Sequence, residues 1–469
     1  MCEIVYGKRA EFNFIVSSML PEHIFREYDI RGVADRDLTT DVIFNIGKAY
    51  GTYLRRDKKY MIAVGRDVRV SSPRIHEALL KGILSTGMHV VDLGLTTTAA
   101  LYFGIHYLAT DGGIMITGSH NPPDQNGLKM CIGTASLYGS QIQELKKMIE
   151  REDFLTGPGK LSSREIIPDY FDYLFKAFTF KRKLKVVIDC GNGMTGLVAP
   201  KLIEKLGHTV IPLFTEPDGR FPNHPADPSE PENLHDCIEA VRKNKADVGL
   251  AFDGDGDRVG VIDHEGNIIP GDKLLILYAR SILKDNPGAT IIGDVKCSNI
   301  LFKDIEAHGG RGIMWKTGHS IIKAKMKEEG ALLAGEMSGH MFFKHRWFGF
   351  DSGIYSACRV LEILDQENKT VVELLKDVPK TIATAEIRVD CPDELKFKVI
   401  KNATDNLKKK YKVVDIDGAR VEFPDGWGLV RASNTQPVLV MRFEAQSQSR
   451  LEEIRKIVED QILSTRQNL

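Results

Sequence analysis

Apolar and polar positions along the chain repeat one design: a short run of Val and Ile, a loop of Gly, Asp and Ser, an amphipathic stretch of helix length, a glycine, then another apolar run. The repeats read "MIAVGRDVRVSSPRIHEALLKGILSTGMHVVDLG", "KVVIDCGNGMTGLVAPKLIEKLGHTVIPLF" and "TIIGDVKCSNILFKDIEAHGGRGIMWKTG". Strands of Val and Ile alternating with helix-length segments predict βαβ units and largely buried sheets. The spacings differ by several residues, so this is a weak internal repeat that predicts three related α/β domains in tandem. Linkers are expected around "REDFLTGPGKLSSREI", after "GVIDHEGNIIPGD" and near "ELLKDVPKTIATAEI". Beyond the last of these the pattern becomes strand, helix, three strands, helix, with hairpin signals at "DGAR" and "PDGWG", which predicts a compact α+β domain with an antiparallel sheet.

Length agrees with several domains, because 469 residues exceed what one hydrophobic core supports. Apolar content of 42% and charged content of 27% are those of a globular protein, and no window approaches the roughly 20 unbroken apolar residues of a membrane helix. The apolar patch "FNFIVSSML" near the N-terminus has Lys8, Arg9 and Glu11 just before it and no small-residue cleavage site; it reads as a docking segment or short helix, not a signal peptide. Seven scattered cysteines without a C-x-x-C pair fit a reducing compartment, so a cytoplasmic location is expected. With 63 Lys and Arg against 64 Asp and Glu, no global field would draw in nucleic acid or an anionic membrane. An anionic ligand must therefore meet cations placed locally.

Four loops carry candidate chemistry. In "GLAFDGDGDRVGVID", Asp253, Asp255 and Asp257 alternate between two apolar runs, and the intervening glycines let the loop curl until the carboxylates converge. Such a cluster calls for a hard divalent cation. A calcium EF-hand is excluded by Arg258 at its sixth position and His264 at its twelfth. Mg²⁺ is the expected ion, with Arg258 directed at an anion beside it.

In "TGSHNPPDQNGLKM", Ser119 follows the strand candidate "DGGIMI", at the end where α/β sheets bind ligands. The nucleophile-elbow pattern fails, since Gly118 directly precedes the serine and Asn121 stands where the second glycine belongs. Pro122 and Pro123 are expected to hold the following backbone extended and so fix where Ser119 and His120 point. A plain turn remains open for this stretch. In "AGEMSGHMFF", Glu336, Ser338 and His340 alternate, which in an extended loop would put them on one side, suited to a pair of vicinal hydroxyls; a satisfied turn is an equal reading. In "VRASNTQPVLVMRFEA", Arg431, Ser433, Asn434 and Thr435 precede a strong strand as either a phosphate pocket or an ordinary hairpin loop.

Together and in this order, "TGSHNP", "DGDGDR", "GEMSGH" and "RASNT" resemble the α-D-phosphohexomutase superfamily, from "FREYDIRGV" at Phe25 to the C-terminus. Met337 at the centre of the third motif is similar to the bacterial phosphomannomutase/phosphoglucomutase branch; phosphoglucosamine mutases, the alternative within the class, usually carry Gln there. The resemblance implies three α/β domains with mixed sheets and a C-terminal α+β domain arranged around a central active-site cleft, here residues 1–164, 165–266, 267–377 and 378–469. It implies reversible interconversion of hexose 1-phosphate and hexose 6-phosphate, mannose or glucose, through a phosphoserine at Ser119 and a bound hexose 1,6-bisphosphate. One Mg²⁺ would be held by Asp253, Asp255, Asp257 and the phosphoryl oxygen on Ser119. Further matches are Tyr28 and Arg31 in "YDIRG", Lys129 in "NGLKM", Lys296 in "GDVKCS", and Thr317, Gly318 and His319 in "KTGHS", as substrate-binding or catalytic residues. Phosphoryl transfer needs alignment and charge neutralisation, which Arg258 and Lys129 would supply beside the metal. His340, with Lys129 or His120, is the candidate for proton transfer. The expected partner is a phosphosugar, with no nucleic acid or membrane, and the expected state is a monomer.

Overall fold

The computed structural model describes residues 20–434 and 436–467; the N-terminal apolar patch up to Met19, Cys2 and Thr435 lie outside them. The chain divides into two compact units. One comprises the residues up to Pro270 together with Ser338–Val371, the other Gly271–Met337 together with Val372–Leu469.

The first unit contains two mixed sheets. In the first sheet the strands run in the order Ile30–Val33, Gln125–Ile132, Gly112–Ile116, Met61–Arg66, His89–Leu95 and Lys160–Ser163, with Ala135–Ser136 paired to Gln125–Ile132. Met61–Arg66 pairs in parallel with both of its neighbours, as the crossover helices Ser72–Leu84 and Thr98–Tyr107 require, and Gln125–Ile132 returns antiparallel to Gly112–Ile116. Residues Thr98 to Ile105 of the second crossover helix are all buried, which is why that helix lacks a polar face. The second sheet has the order Ile268–Ile269, Val259–Asp263, Val248–Phe252, Lys185–Asp189 and Thr209–Leu213. Val248–Phe252, buried at every residue, forms an antiparallel hairpin with Val259–Asp263, so the acidic loop is the tip of a buried hairpin.

Ser338–Val371 joins this unit through rings. Trp347 stacks on Tyr355 at 4.5 Å between centroids and meets Tyr173 edge-on at 5.7 Å, while Phe348 meets Phe103 at 6.1 Å. Each such pair adds about 0.5–1.5 kcal/mol beyond area burial.

In the second unit, Thr290–Asp294 pairs in parallel with Arg311–Trp315 and Leu333–Gly335. The remainder is an antiparallel sheet in the order Ile382–Ala383, Val438–Ala445, Gly426–Ala432, Ala419–Phe423 and Lys412–Val414, with Ile387–Asp390 also on Val438–Ala445. Its core packs beneath helices Asp393–Leu407 and Gln448–Gln467. Buried Arg420 ties the two sheets of this unit together. Its guanidinium lies 3.8 Å from the centroid of the Trp427 ring and donates to the carbonyls of Val295 (2.5 Å) and Cys297 (2.7 Å).

The expected α/β and α+β divisions are present, and the linkers differ from expectation. Lys160–Ser163, inside the first, adds a parallel edge strand to His89–Leu95. Helix Gly271–Asp285 occupies the second, and Ile382–Ala383 in the third is an edge strand. Four strands rather than three follow helix Asp393–Leu407, the additional one being Lys412–Val414. These edge strands are short and exposed or half-buried, so they lack the apolar alternation that marks a strand in sequence. Among the described residues no helix is long and apolar enough to cross a membrane.

Candidate active site

Ser119 is buried in the loop after strand Gly112–Ile116, and its φ is +49°, the left-handed region that non-glycine residues seldom adopt. Its backbone N–H donates to Thr117 Oγ1 at 2.8 Å. Its hydroxyl donates to Asp253 Oδ2 at 2.9 Å and lies 3.1 Å from His120 Nδ1. The prolines do not hold the chain extended as expected: Gln125 N–H bonds Pro122 C=O at 3.0 Å, closing a turn that feeds strand Gln125–Ile132.

Arg69 holds this loop instead. Its guanidinium donates to the carbonyls of Ser119 (2.8 Å), Asn121 (2.6 Å), Pro122 (2.5 Å) and Gln125 (2.9 Å). Gly118 is glycine because a Cβ there would sit 2.6 Å from the guanidinium carbon. Asp67 completes the cradle, accepting from the N–H of Arg69 (3.0 Å), the Ser72 hydroxyl (2.6 Å) and the Gly118 N–H (3.3 Å).

Asp253, Asp255 and Asp257 are wholly buried, and their ligand oxygens lie within 4.8 Å of one another. Asp253 Oδ1 shapes the loop by accepting from the N–H groups of Gly256, Asp257 and Arg258 at 3.0–3.1 Å. Lys129 Nζ bridges Asp255 Oδ2 (2.7 Å) and Asp257 Oδ2 (2.5 Å), and Thr98 Oγ1 donates to Asp255 Oδ2 at 2.5 Å. The Oδ1 atoms of Asp255 and Asp257 have no hydrogen-bond partner. Burial, then Asp257 and Asp255, raise the Asp253 carboxyl well above the usual range. For Asp255 burial pushes upward but the Lys129 ammonium outweighs it, so the carboxyl titrates below its usual range. Burial likewise opposes the charge on Lys129, and Asp255 and Asp257 overcome it, raising the amine. Converging carboxylates with two orphaned oxygens fit a hard divalent cation, so this cluster can hold a metal.

Arg258 and His340 meet beside it. Arg258 Nε donates to His340 Nε2 at 2.9 Å, and because a guanidinium only donates, that nitrogen presents its lone pair. His340 Nδ1 lies 3.0 Å from the buried Asp351 Oδ2 and 3.5 Å from Asp257 Oδ1. Burial, followed by Arg258 and Arg31, keeps the His120 imidazole well below its usual pKa and so neutral. Arg31 donates to Asn121 Oδ1 at 3.0 Å and pairs with Asp29 at 2.5 Å; Tyr28 is buried in the bend before strand Ile30–Val33.

The second unit gathers a different set. Glu336 Oε1 accepts from the N–H of Gly318 (2.9 Å), and Asp294 Oδ2 accepts from the Thr317 hydroxyl (3.0 Å). Asp417 accepts from the Thr317 N–H (3.1 Å) and from Arg431 Nε (2.9 Å). Lys296 pairs with Glu386 at 3.3 Å, and His319 opens helix His319–Glu329. Ser433 Oγ accepts from the Gln436 N–H at 3.1 Å; Asn434 is half-buried, and Thr435 lies outside the described residues. Glu336, Ser338 and His340 do not share one face of an extended loop, because the chain turns at Met337 and Ser338. Glu336 belongs to the second unit, Ser338 and His340 to the first.

Sequence profiles described as phosphoglucomutase/phosphomannomutase alpha/beta/alpha domains I, II and III match residues 22–156, 168–266 and 270–382, and that of the C-terminal domain matches 386–461. The chain belongs to the phosphoglucomutase/phosphomannomutase family. Among its relatives, a phosphomannomutase/phosphoglucomutase of Pseudomonas putida is 49% identical over 96% of this chain and 97% of its own length. A phosphoglucomutase of Neisseria gonorrhoeae is 46% identical over 92% of this chain and 95% of its own. The crystal structure of a phosphoglucomutase/phosphomannomutase family protein from Burkholderia thailandensis superposes with a TM-score of 0.90, at 43% identity over 96% of this chain and 98% of that one. The stretch matching family domain III contributes Gly271–Met337 to the second unit and Ser338–Val371 to the first.

Arg69, Asp67, Asp294, Asp351 and Asp417 were not singled out by sequence. Their one signal is a charged residue at or just beyond an apolar run, as in "AVGRDVR" and "TIIGD", which many surface turns share.

Proposed function

We propose that this chain interconverts hexose 1-phosphate and hexose 6-phosphate, with mannose or glucose as the sugar. The route is a phosphoryl group carried on Ser119 and a hexose 1,6-bisphosphate that turns over while bound. It is thus an isomerase working by phosphoryl transfer. The observation that carries the reading is the Ser119 hydroxyl 2.9 Å from Asp253 in a wholly buried cluster of carboxylates. Relatives named for both sugars, nearly collinear with this chain, support it.

Asp253, Asp255, Asp257 and a phosphoryl oxygen on Ser119 would hold a single Mg²⁺, which would supply charge neutralisation to the transferring group. Arg258 and Lys129 add positive charge from the protein. Lys129, kept protonated by its carboxylates, serves as a cation, and the proton of the attacking hydroxyl goes to an imidazole, His340 or His120. Tyr28 and Arg31 bind substrate beside the serine loop. Glu336 and Ser338 hold ring hydroxyls, and Lys296, Thr317, Gly318 and His319 line the sugar. Arg431, Ser433, Asn434 and Thr435 take the phosphate that is not reacting. Glucose and mannose differ at C2, so a grip on O3 and O4 treats them alike. The described cysteines are all free and buried, which supports a reducing cytoplasmic setting, and the near-zero net charge supports a partner set without nucleic acid or an anionic membrane; a monomer is the state we propose.

Intact-mass spectrometry with a mutase assay started by glucose 1,6-bisphosphate tests the reading. The wild type should carry one phosphate, at Ser119, and Ser119→Ala should lose it together with nearly all turnover of mannose 1-phosphate and glucose 1-phosphate. Full activity in the alanine variant would refute the phosphoserine route. Preference for glucosamine 6-phosphate would replace the sugar assignment.

A further inference from the structure

We propose that Arg69 is a positioning residue for the phosphoryl-carrying serine: its guanidinium grips the main chain of residues 119–125 and so sets where the Ser119 hydroxyl points. The inference rests on the reading that Ser119 carries the phosphoryl group. Four carbonyls from one short loop converge on this side chain, which is almost wholly buried, at 2.5–2.9 Å. A guanidinium offers five donors in a fixed plane, whereas a lysine ammonium offers three on a flexible stem, so only arginine can serve all four.

The serine is pinned from two sides. Arg69 Nη2 takes the Ser119 carbonyl from one direction, and a Cβ on Gly254 of the acidic loop would stand 2.5 Å from that same oxygen. The acidic hairpin therefore packs directly on the residue whose hydroxyl it receives. Phe221 lies beside the guanidinium with its ring centroid 5.1 Å away, and a Cβ on Gly219 would stand 2.6 Å from the Arg69 Cα, so Gly219 and Phe221 wall in the arginine. Since Ser119 has left-handed backbone geometry, the loop needs outside partners to keep it there. Arg69 supplies them without a contact to the hydroxyl itself, so it acts through Ser119 rather than on the phosphoryl group.

Two full-length variants probe the grip from opposite sides. Arg69→Lys keeps the charge and loses the fork; Gly118→Ala keeps the arginine and drives a methyl group into it. Both should lower kcat by about 100-fold, the effect of roughly an ångström of misplacement, with KM for hexose 1-phosphate changed by less than about threefold. Phosphate should appear on Ser119 about 100-fold more slowly when dephosphorylated enzyme meets glucose 1,6-bisphosphate, followed by intact mass. The double variant should fall short of the product of the two single effects, because both act on one contact. A merely structural arginine would lower the melting temperature and leave kcat of the folded fraction intact. Wild-type kcat and phosphorylation rate in folded Arg69→Lys would overturn the proposal. Should that variant not fold, the same result in Gly118→Ala overturns it. Either result with a phosphorylated wild type leaves the mutase reading standing, whereas an active wild type without phosphate on Ser119 removes the phosphoserine reading itself.

Discussion

Asp253 and Asp417 are each a carboxylate that bonds backbone N–H and stands by an arginine, yet their surroundings differ. Asp253 is wholly buried with two more carboxylates beside it, and two oxygens of that trio accept no hydrogen bond. Asp417 keeps 13% of its side chain exposed and shares one oxygen, Oδ2, between the N–H of Thr317 and Arg431 Nε. The first region concentrates negative charge against its own desolvation cost, offset in part by the Lys129 ammonium, an arrangement suited to a cation. The second region sets its buried cations in opposed pairs, Arg431 with Asp417 and Lys296 with Glu386, which orient donors. Chemistry should therefore fail when the first is disturbed, and recognition when the second is.

The largest break comes from removing the metal. Chelation should lower turnover by about 10³-fold or more, with return on adding Mg²⁺, read in the coupled mutase assay. Asp255→Asn should follow closely, lowering kcat by about 10³-fold with much less change in KM. In the second unit the sign moves to binding. Arg431→Ala should raise KM for hexose 1-phosphate by about 10–100-fold, the worth of a charge-assisted hydrogen bond, while the rate of Ser119 phosphorylation at saturation is retained. Asp417→Asn, which leaves the arginine but loosens its orientation, should raise KM by about 10-fold, the smallest of the four effects. If Asp417→Asn lowered kcat as Asp255→Asn does, the contrast between the regions would collapse.

Sequence made the acidic loop visible because its features are local. Three aspartates at alternate positions sit between runs as apolar as Val248–Phe252, and no solvated turn needs that pattern. The βαβ repeats were legible for the same reason, as was the antiparallel C-terminal sheet with its turns. Arg69 was not, since its partners lie 50 to 56 residues onward and nothing near "GRDVR" indicates them. Asp351 faces a histidine eleven positions earlier, and Asp417 bonds a residue 100 positions away, so neither spacing forms a motif. Lys160–Ser163 pairs along the edge of His89–Leu95 and shows no apolar side. The turn at Pro122 was missed because proline fixes its own φ and restrains the residue before it, but leaves open which later N–H its carbonyl will meet.

The backbone angle at Ser119 ranks its possible replacements in an unexpected order. Threonine would preserve the hydroxyl, but a β-branched side chain is a severe outlier at φ +49°. Glycine and asparagine settle there readily and have no hydroxyl to phosphorylate. Conformational tolerance and chemical competence thus run in opposite directions at this one position, and serine is where they cross. An inert enzyme with an undisturbed loop is accordingly better sought in Ser119→Gly or Ser119→Asn than in the chemically closest exchange, Ser119→Thr.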